Sequence, residues 1–360
     1  MFAKGRITTT GDVFRDEKSL AFDGTNDYVD TSFVASNEGI TNDVTVSCWF
    51  KAADLAASSN AFVWNFYQST SDGFGIKFSS STFKVIADID NADSNLYTTT
   101  LDINKWYLAV VVIDSLEVKL YINGVLEGSG TSVADGLDSF TSNFYIANRK
   151  GAAGTGEFNG NISEVAIYNS ALTINQVKTI YNGREPYNHK EGVASGNLKA
   201  WYRMGDGSLD EYALIGDETN ITLGNNLITN GTFDADSDWV KSGSGATISS
   251  GQATLDLDAD TFIYQDVGTV GKVYKMTFDL VVTSGEVKLG TNADFQYTYS
   301  AGTYTNESVY LIATTTNRFI FRRATGDLEA TIDNVSVQQV GDNAGIMNNM
   351  SATDIEGDTP

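Results

Sequence analysis

Ser19-Leu20-Ala21-Phe22-Asp23-Gly24-Thr25-Asn26-Asp27-Tyr28-Val29 and, further along, Phe158-Asn159-Gly160-Asn161-Ile162-Ser163-Glu164-Val165-Ala166-Ile167-Tyr168-Asn169 are the two ends of the stretch that decides the fold. In both, apolar and polar residues alternate and Gly, Asn or Asp closes the run, the pattern of half-buried strands and tight turns. Val46-Ser47-Cys48-Trp49-Phe50-Lys51, Lys105-Trp106-Tyr107-Leu108-Ala109-Val110-Val111-Val112 and Leu120-Tyr121-Ile122-Asn123-Gly124 repeat that pattern between them. Segments at 44–51, 60–67, 73–79, 82–89, 106–113, 116–122, 143–148 and 162–168 supply about eight strands, enough for two packed sheets. Asn123-Gly124 predicts a type I′ hairpin turn, and 106–126 reads as a three-stranded meander. Ser170 to Gly183 is the one clear helix, with Thr173 as N-cap, Gln176 completing a capping box and Gly183 as the stop.

Working outward, the 360 residues are too many for one ordinary sandwich and suit two or three domains. With 41% hydrophobic and 11% aromatic residues the chain can build packed cores, and 34 Gly against 2 Pro points to tight Gly/Asn turns. Helical periodicity is almost absent elsewhere, so the class is all-β. There are 46 acidic and 23 basic residues, a net charge of -23. Phosphate backbones need clustered Lys and Arg, so nucleic acid is excluded as a partner, and anionic membranes are disfavoured. No segment has the length to insert in a membrane. The acid content reads first as a solubilising coat, and second as a source of oxygen ligands for a divalent cation. Cys48 has no internal disulfide partner and reads as a small buried hydrophobe. His189, the only histidine, lies in a polar linker, which excludes a multi-histidine metal site. Residues 2 to 18 are polar and mixed in charge, without the apolar centre of a signal peptide.

The order of segments in 19–187 resembles the laminin-G-like, concanavalin A-like lectin/glucanase jelly roll, whose members close with a similar short helix. Residues 1–18 precede it as an arm: a first edge strand or a frayed terminus on one reading, an anchor on a partner subunit on the other. Asn197-Leu198-Lys199-Ala200-Trp201-Tyr202-Arg203-Met204-Gly205-Asp206-Gly207 and Ala344-Gly345-Ile346-Met347-Asn348-Asn349-Met350 resemble two halves of one motif in structural proteins of marine bacteriophages. On that resemblance 188–224 is a linker continued by 341–360, and 225–340 is an insert. The insert opens Asn226-Leu227-Ile228-Thr229-Asn230-Gly231-Thr232-Phe233-Asp234 and closes Thr331-Ile332-Asp333-Asn334-Val335-Ser336-Val337. It resembles carbohydrate-binding modules of the family 4/9 type, which are galactose-binding-like β-sandwiches. The expected architecture is all-β, with two jelly-roll-type sandwiches in tandem, the second inserted in a C-terminal segment, and one short helix after the first.

Glycoside hydrolysis needs two carboxylates across one bond. Hydrolases of the concanavalin A class place them as Glu-x-Asp-x-x-Glu on one strand, and that string is missing here. Glu164 stands alone on the closing strand, and Asp206, Asp210, Glu211, Asp217 and Glu218 read as a solvated loop. A triad has only His189 to draw on, and no Gly-x-Ser-x-Gly elbow is present. The expectation is therefore no enzyme. The resemblance of the insert implies a structural calcium ion (Ca2+) at Asp234 and Asp333, and Asp23 and Asp27 are weaker candidates in the first domain. It also implies a sugar cleft lined by Tyr264, Gln265, Tyr297, Tyr299 and Tyr304, each alternatively a packing residue. Trp239 is implied to be structural, and Trp49, Trp106 and Trp201 follow core strand patterns. Together these imply a non-enzymatic bacteriophage surface protein of capsid or tail, bound to other virion proteins through its arm. Such a protein would commonly be a homo-oligomer, located on the virion surface and adhering weakly and multivalently to cell-surface glycans. The rival reading is a purely structural virion protein, and the third is a fragment of a carbohydrate-active enzyme.

Overall fold

A computed structural model of the chain describes residues 14–54, 61–67, 73–79, 82–88, 101–115, 117–131, 141–149, 151, 156–210, 212–220, 222–256, 261–291, 294–313 and 316–360. The two alternating ends of the deciding stretch pair with each other: Leu20 lies opposite Ile162 and Phe22 opposite Gly160. Ser19–Asp23 and Asn159–Tyr168 thereby join Val44–Ala52, Tyr107–Asp114, Glu117–Ile122 and Val125–Thr131 in one antiparallel sheet. The second sheet is built on Tyr28–Val34, Asn143–Ile146, Phe62–Tyr67, Gly73–Ser79 and Thr82–Asp88. Val46, Cys48 and Phe50 of the first sheet meet Phe33, Trp64, Phe66 and Phe144 of the second in a dry core. Cys48 is fully buried.

Val44–Ala52 is buried at every position but Lys51, because its other face is covered too. Trp49, Val110, Val112 and Tyr168 point away from the core and receive the helix Ile174–Tyr181 through Val177 and Ile180. That helix begins as its sequence predicts: the Thr173 side chain accepts from Gln176 N–H in a capping box. Asn182 and Gly183 follow in the left-handed region, with φ of 47° and 70°, and end it. Asn123 and Gly124, at φ 50° and 76°, satisfy the positive-φ demand of a type I′ turn.

The chain leaves this sandwich after Leu214–Ile215 and comes back at Gly345–Asn348. The returning strand lies between Leu214–Ile215 and Tyr28–Val34, and Ile355–Glu356 then pairs with Ser19–Asp23. Between departure and return stands a second sandwich, organised by two long bent strands, Val273–Thr291 and Arg318–Val340. Each passes through both layers. One layer contains Ala246–Ser249, Gln252–Asp256 and Gly302–Ile312; the other contains Val240–Ser242, Phe262–Asp266 and Asp294–Tyr299. At the corner Gly285 has φ +74°, and a Cβ there would lie 2.9 Å from Leu328 Cα and Thr325 O. Only glycine fits where the strand changes sheet. Phe278, Leu289, Phe319, Phe321 and Val337 fill the interior, and Leu214, Val273, Tyr310, Val340 and Ala344 form an apolar seam between the sandwiches.

Candidate functional site

A concavity opens on the helix-covered side of the first sandwich. Trp49 projects from Val44–Ala52, and Tyr181, the last helical residue, stacks on it with centroids 6.1 Å apart at 30°. The helix end lies over the Asn123-Gly124 turn, where Gly124, at φ +76°, lies within van der Waals reach of Tyr181 and Lys178. Trp106 and Tyr107, where the next strand begins, supply the facing wall. The space enclosed is about 530 Å³, within the size range of small-molecule sites. Asn123, Lys105 and Arg184 bring polar groups to it. Asn123 is fixed by accepting the Leu108 N–H at 3.0 Å, and Arg184 donates from Nε to the Tyr181 hydroxyl at 3.2 Å. The Trp106 indole N–H donates to Asp358 at 3.0 Å. Lys51 pairs with that same carboxylate, its Nζ standing 5.6 Å from the Trp106 ring centre. Aromatic walls with a few convergent polar groups suit a pyranose, whose C–H face is apolar and whose rim is hydroxylated.

Trp49 is buried as the strand pattern predicts, whereas Trp106 is only half-buried, packing against the outer cluster on one side and lining this cavity on the other. The available signal was the pair Trp106-Tyr107 at a strand start. Nothing local in the sequence links it to Tyr181 and Arg184.

The five residues expected to line a cleft in the second sandwich do not form one open surface. Tyr264 and Gln265 are consecutive on a strand and therefore face opposite sides. Gln265 faces inward, buried, accepting from the Thr229 N–H at 3.2 Å and donating to the Thr229 carbonyl at 2.7 Å. Tyr264 faces outward, but the Arg318 guanidinium lies 3.5 Å over its ring, held there by Asp266 at 2.8 and 3.1 Å. Tyr297 and Tyr299 do share a face, and it is the inner one. Tyr299 packs edge-on against Phe278 and Tyr304, and Tyr297 donates to the Tyr310 carbonyl at 2.9 Å. The Tyr304 hydroxyl donates to the Ser300 carbonyl at 3.1 Å. Trp239 is a core residue whose indole N–H donates to the Asn230 carbonyl at 3.0 Å.

The acid-rich run after Trp201 is not the solvated loop its composition predicts. Asp210 accepts three main-chain N–H groups, from Gly205, Gly207 and Gly216, at 2.7 to 2.9 Å. Asp217 is buried and accepts from Trp201 and Thr219, each at 2.9 Å, and Glu218 accepts from Ser208 N–H at 2.5 Å. Desolvation outweighs these bonds and raises both Asp210 and Asp217 to about 6. Glu211 lies outside the described residues. A segment without periodic apolar residues builds its interior from carboxylates and turn amides instead.

Glu164 does not stand alone either. It sits on a bulge of Asn159–Tyr168 at φ 52°, fully buried, and accepts from Trp201 Nε1 at 2.6 Å and Arg203 Nε at 3.1 Å. Asp16, from the segment that precedes the first strand, meets it carboxyl to carboxyl. Asp16 Oδ2 is buried and no donor among the described residues reaches it; a proton held between the two acids would satisfy it. Burial pushes Asp16 up to about 7 and Glu164 well above the carboxylate range. Two carboxyls in contact have no room between them for a glycosidic bond. Residues 14–18 thus dock on their own sandwich, with Phe14 under the Arg203 guanidinium at 4.7 Å; residues 1–13 lie outside the described residues. His189 is buried as well, its Nδ1 hydrogen-bonded to the Tyr168 hydroxyl at 2.6 Å, and burial lowers it to about 3. It is a neutral packing residue rather than a base in a polar linker.

Among the described residues, no three His, Cys, Asp or Glu side chains are grouped to hold a metal. Asp234 accepts from the Thr232 hydroxyl at 2.8 Å, and Asp333, within the strand Arg318–Val340, accepts from the Asn334 N–H at 2.7 Å. Asp23 accepts the Thr25 N–H, and Asp27 the Asp23 N–H. A calcium ion at either place would take most of its oxygens from the main chain. Among the described residues, no helix is long and apolar enough to cross a membrane.

Residues 23–178 match the family model described as the concanavalin A-like lectin/glucanases superfamily, and the first sandwich carries that fold. Among solved structures, a Bacteroides ovatus protein provisionally named as carbohydrate binding aligns at 19% identity and TM-score 0.44, covering 57% of this chain and 56% of that one. The chain therefore spans little more than half of that relative's length. Domain 4 of an extracellular arabinanase from Geobacillus stearothermophilus, solved with arabinotriose, aligns at 21% identity and TM-score 0.37, covering 45% of this chain and 76% of that one. The sialidase module CBM40 of Ruminococcus gnavus, bound to sialyllactose, aligns at 16% identity and TM-score 0.37, covering 46% and 96%. No curated protein matches the chain.

Proposed function

We propose that this protein is a non-enzymatic adhesion protein that binds glycans through the aromatic cavity of its lectin-like sandwich. The observation that carries the reading is the cavity itself: Trp49, Trp106, Tyr107 and Tyr181 around about 530 Å³, with Asn123, Lys105 and Arg184 at hydrogen-bonding positions. Its place on a virion surface, capsid or tail, rests on the resemblance of 197–207 and 344–350 to phage structural proteins. Weak single sites are effective there because many copies act together.

Affinity electrophoresis of the full chain through gels containing laminarin, xylan, polygalacturonate or lipopolysaccharide tests the reading. At least one polymer is expected to retard the protein, and Trp106→Ala with Tyr181→Ala to abolish the retardation while the urea midpoint of unfolding shows the sandwich intact. One observation favours a purely structural role instead: Tyr297, Tyr299 and Tyr304 of the second sandwich are spent on packing and main-chain bonds, and Tyr264 is covered by Arg318. Migration unchanged in every polymer would establish that second reading.

A further inference from the structure

We infer that the cavity selects acidic sugars, taking a pyranose whose carboxylate is read by the cations at its rim. The inference rests on the glycan-binding reading of the same site and narrows its ligand. The chain has twice as many acidic as basic residues, yet the residues lining this cavity include Lys105 and Arg184 and no acid. Two of the nearby cations already have acidic partners, Lys105 with Asp102 and Lys51 with Asp358, so the positive charge left for a ligand at this rim is chiefly that of Arg184.

A carboxylate already shows the chemistry this edge accepts. Asp358 sits where the Trp106 indole N–H and the Lys51 ammonium converge, one donating at 3.0 Å and the other forming the ion pair. Pro360, two residues on, lies against the cavity. An indole edge and an ammonium group that together hold an internal carboxylate make a carboxylate-recognising corner. Across the cavity Arg184 is oriented by its bond to the Tyr181 hydroxyl, which leaves the rest of a planar guanidinium fork to face a ligand carboxylate in two-point fashion. Lys105 is held at the rim by Asp102 at 2.5 Å and contributes a weaker, more screened attraction. The aromatic walls then take the sugar ring, and the cations decide which ring is taken.

The test is calorimetric titration of the full chain with trigalacturonate, with its methyl ester, and with neutral galactotriose, following the fluorescence of the cavity tryptophans in parallel. Trigalacturonate is expected to bind, with its ester and galactotriose weaker by about tenfold or more, the loss of a charge-assisted pair. Arg184→Gln with Lys105→Gln is expected to bring the affinity for trigalacturonate down to that for its ester and galactotriose. Binding of ester and acid with equal affinity, or a preference that survives the double variant, overturns the acidic-sugar inference and leaves glycan binding standing. Failure of all three to bind, together with unretarded migration in every polysaccharide gel, removes both.

Discussion

The two sandwiches use the same bond, a carboxylate accepting main-chain N–H groups, with opposite electrostatic results. In the segment that completes the first sandwich, Asp210 receives three N–H groups and is still raised to about 6, because burial costs the charged form more than the bonds return. In the second sandwich Asp279 accepts from the Asn306 N–H at 2.6 Å and the Asn334 amide at 2.7 Å, and these bonds lower it because little desolvation opposes them. Exposure, not the number of donors, sets the sign. The net charge of -23 is therefore not one uniform coat. Part of it is scaffold inside the first sandwich, and part is turn chemistry on the surface of the second.

The largest effect expected from breaking that contrast is at Asp210. Asp210→Ala strands three part-buried N–H groups and should cost about 3–5 kcal/mol, lowering the melting temperature of the first sandwich by roughly 10 °C. Urea unfolding followed by tryptophan fluorescence reports it, since Trp49, Trp64, Trp106 and Trp201 lie in the first sandwich and Trp239 in the second. A loss as small as that of a surface residue would mean the acid run is the solvated loop its composition suggested.

The next effect is a pH dependence with a defined sign. Asp16, Asp210 and Asp217 have folded pKa values above those of free carboxyls, so folding takes up protons. Their contribution to stability is fully present below the unfolded value near 4 and is lost as pH rises through about 6 to 7. Buried His189, lowered to about 3, works the other way below its ordinary value of 6.5, but Asp27 and Asp30, each raised to about 6, add to the three acids and outweigh it. The first sandwich should accordingly be more stable at pH 5 than at pH 8, and Asp16→Asn should flatten the upper part of that slope. Asp206, Arg203 and Glu164 face Asp16, so the slope in the variant also measures how much of the proton Glu164 keeps alone. A wild-type profile that rises steadily from pH 5 to pH 8 would break the comparison.

How much of this was legible in the sequence follows from the range of each interaction. Alternation, the Asn123-Gly124 turn and the Thr173/Gln176 cap are local, and strands, hairpin and helix stand where those residues put them. Facing is harder: alternation shows that Tyr297 and Tyr299 share a side but not which side, and the pairing of Tyr297 with Leu289 turns them inward. Asp16 with Glu164, and Trp106 with Tyr181, join parts of the chain far apart in sequence. Neither partner carries a local mark of the other. The acid run was misread for a related reason, since its burial depends on turn amides that no side-chain pattern records.

The smallest expected effect is in the second sandwich. Asp333 is a half-buried residue of Arg318–Val340, opposite Asp279; Asp333→Asn keeps an acceptor for the Asn334 N–H and should change stability by less than about 0.5 kcal/mol. If millimolar calcium raises the melting temperature of the wild type and not of this variant, this point of the strand is a cation site, and the outer acids of the second sandwich are as structural as the buried ones of the first.

The route of the chain has a consequence for its synthesis. Tyr28–Val34 and Ser19–Asp23 receive their last neighbours, Gly345–Asn348 and Ile355–Glu356, only after the whole second sandwich has left the ribosome. At ordinary elongation rates that is a delay on the order of ten seconds. For that interval the nascent first sandwich presents two unpaired strand edges while the second completes its own sheets. Neighbouring nascent chains on one messenger expose the same edges at the same time, so the C-terminal strands act as a late closure against mispairing between copies.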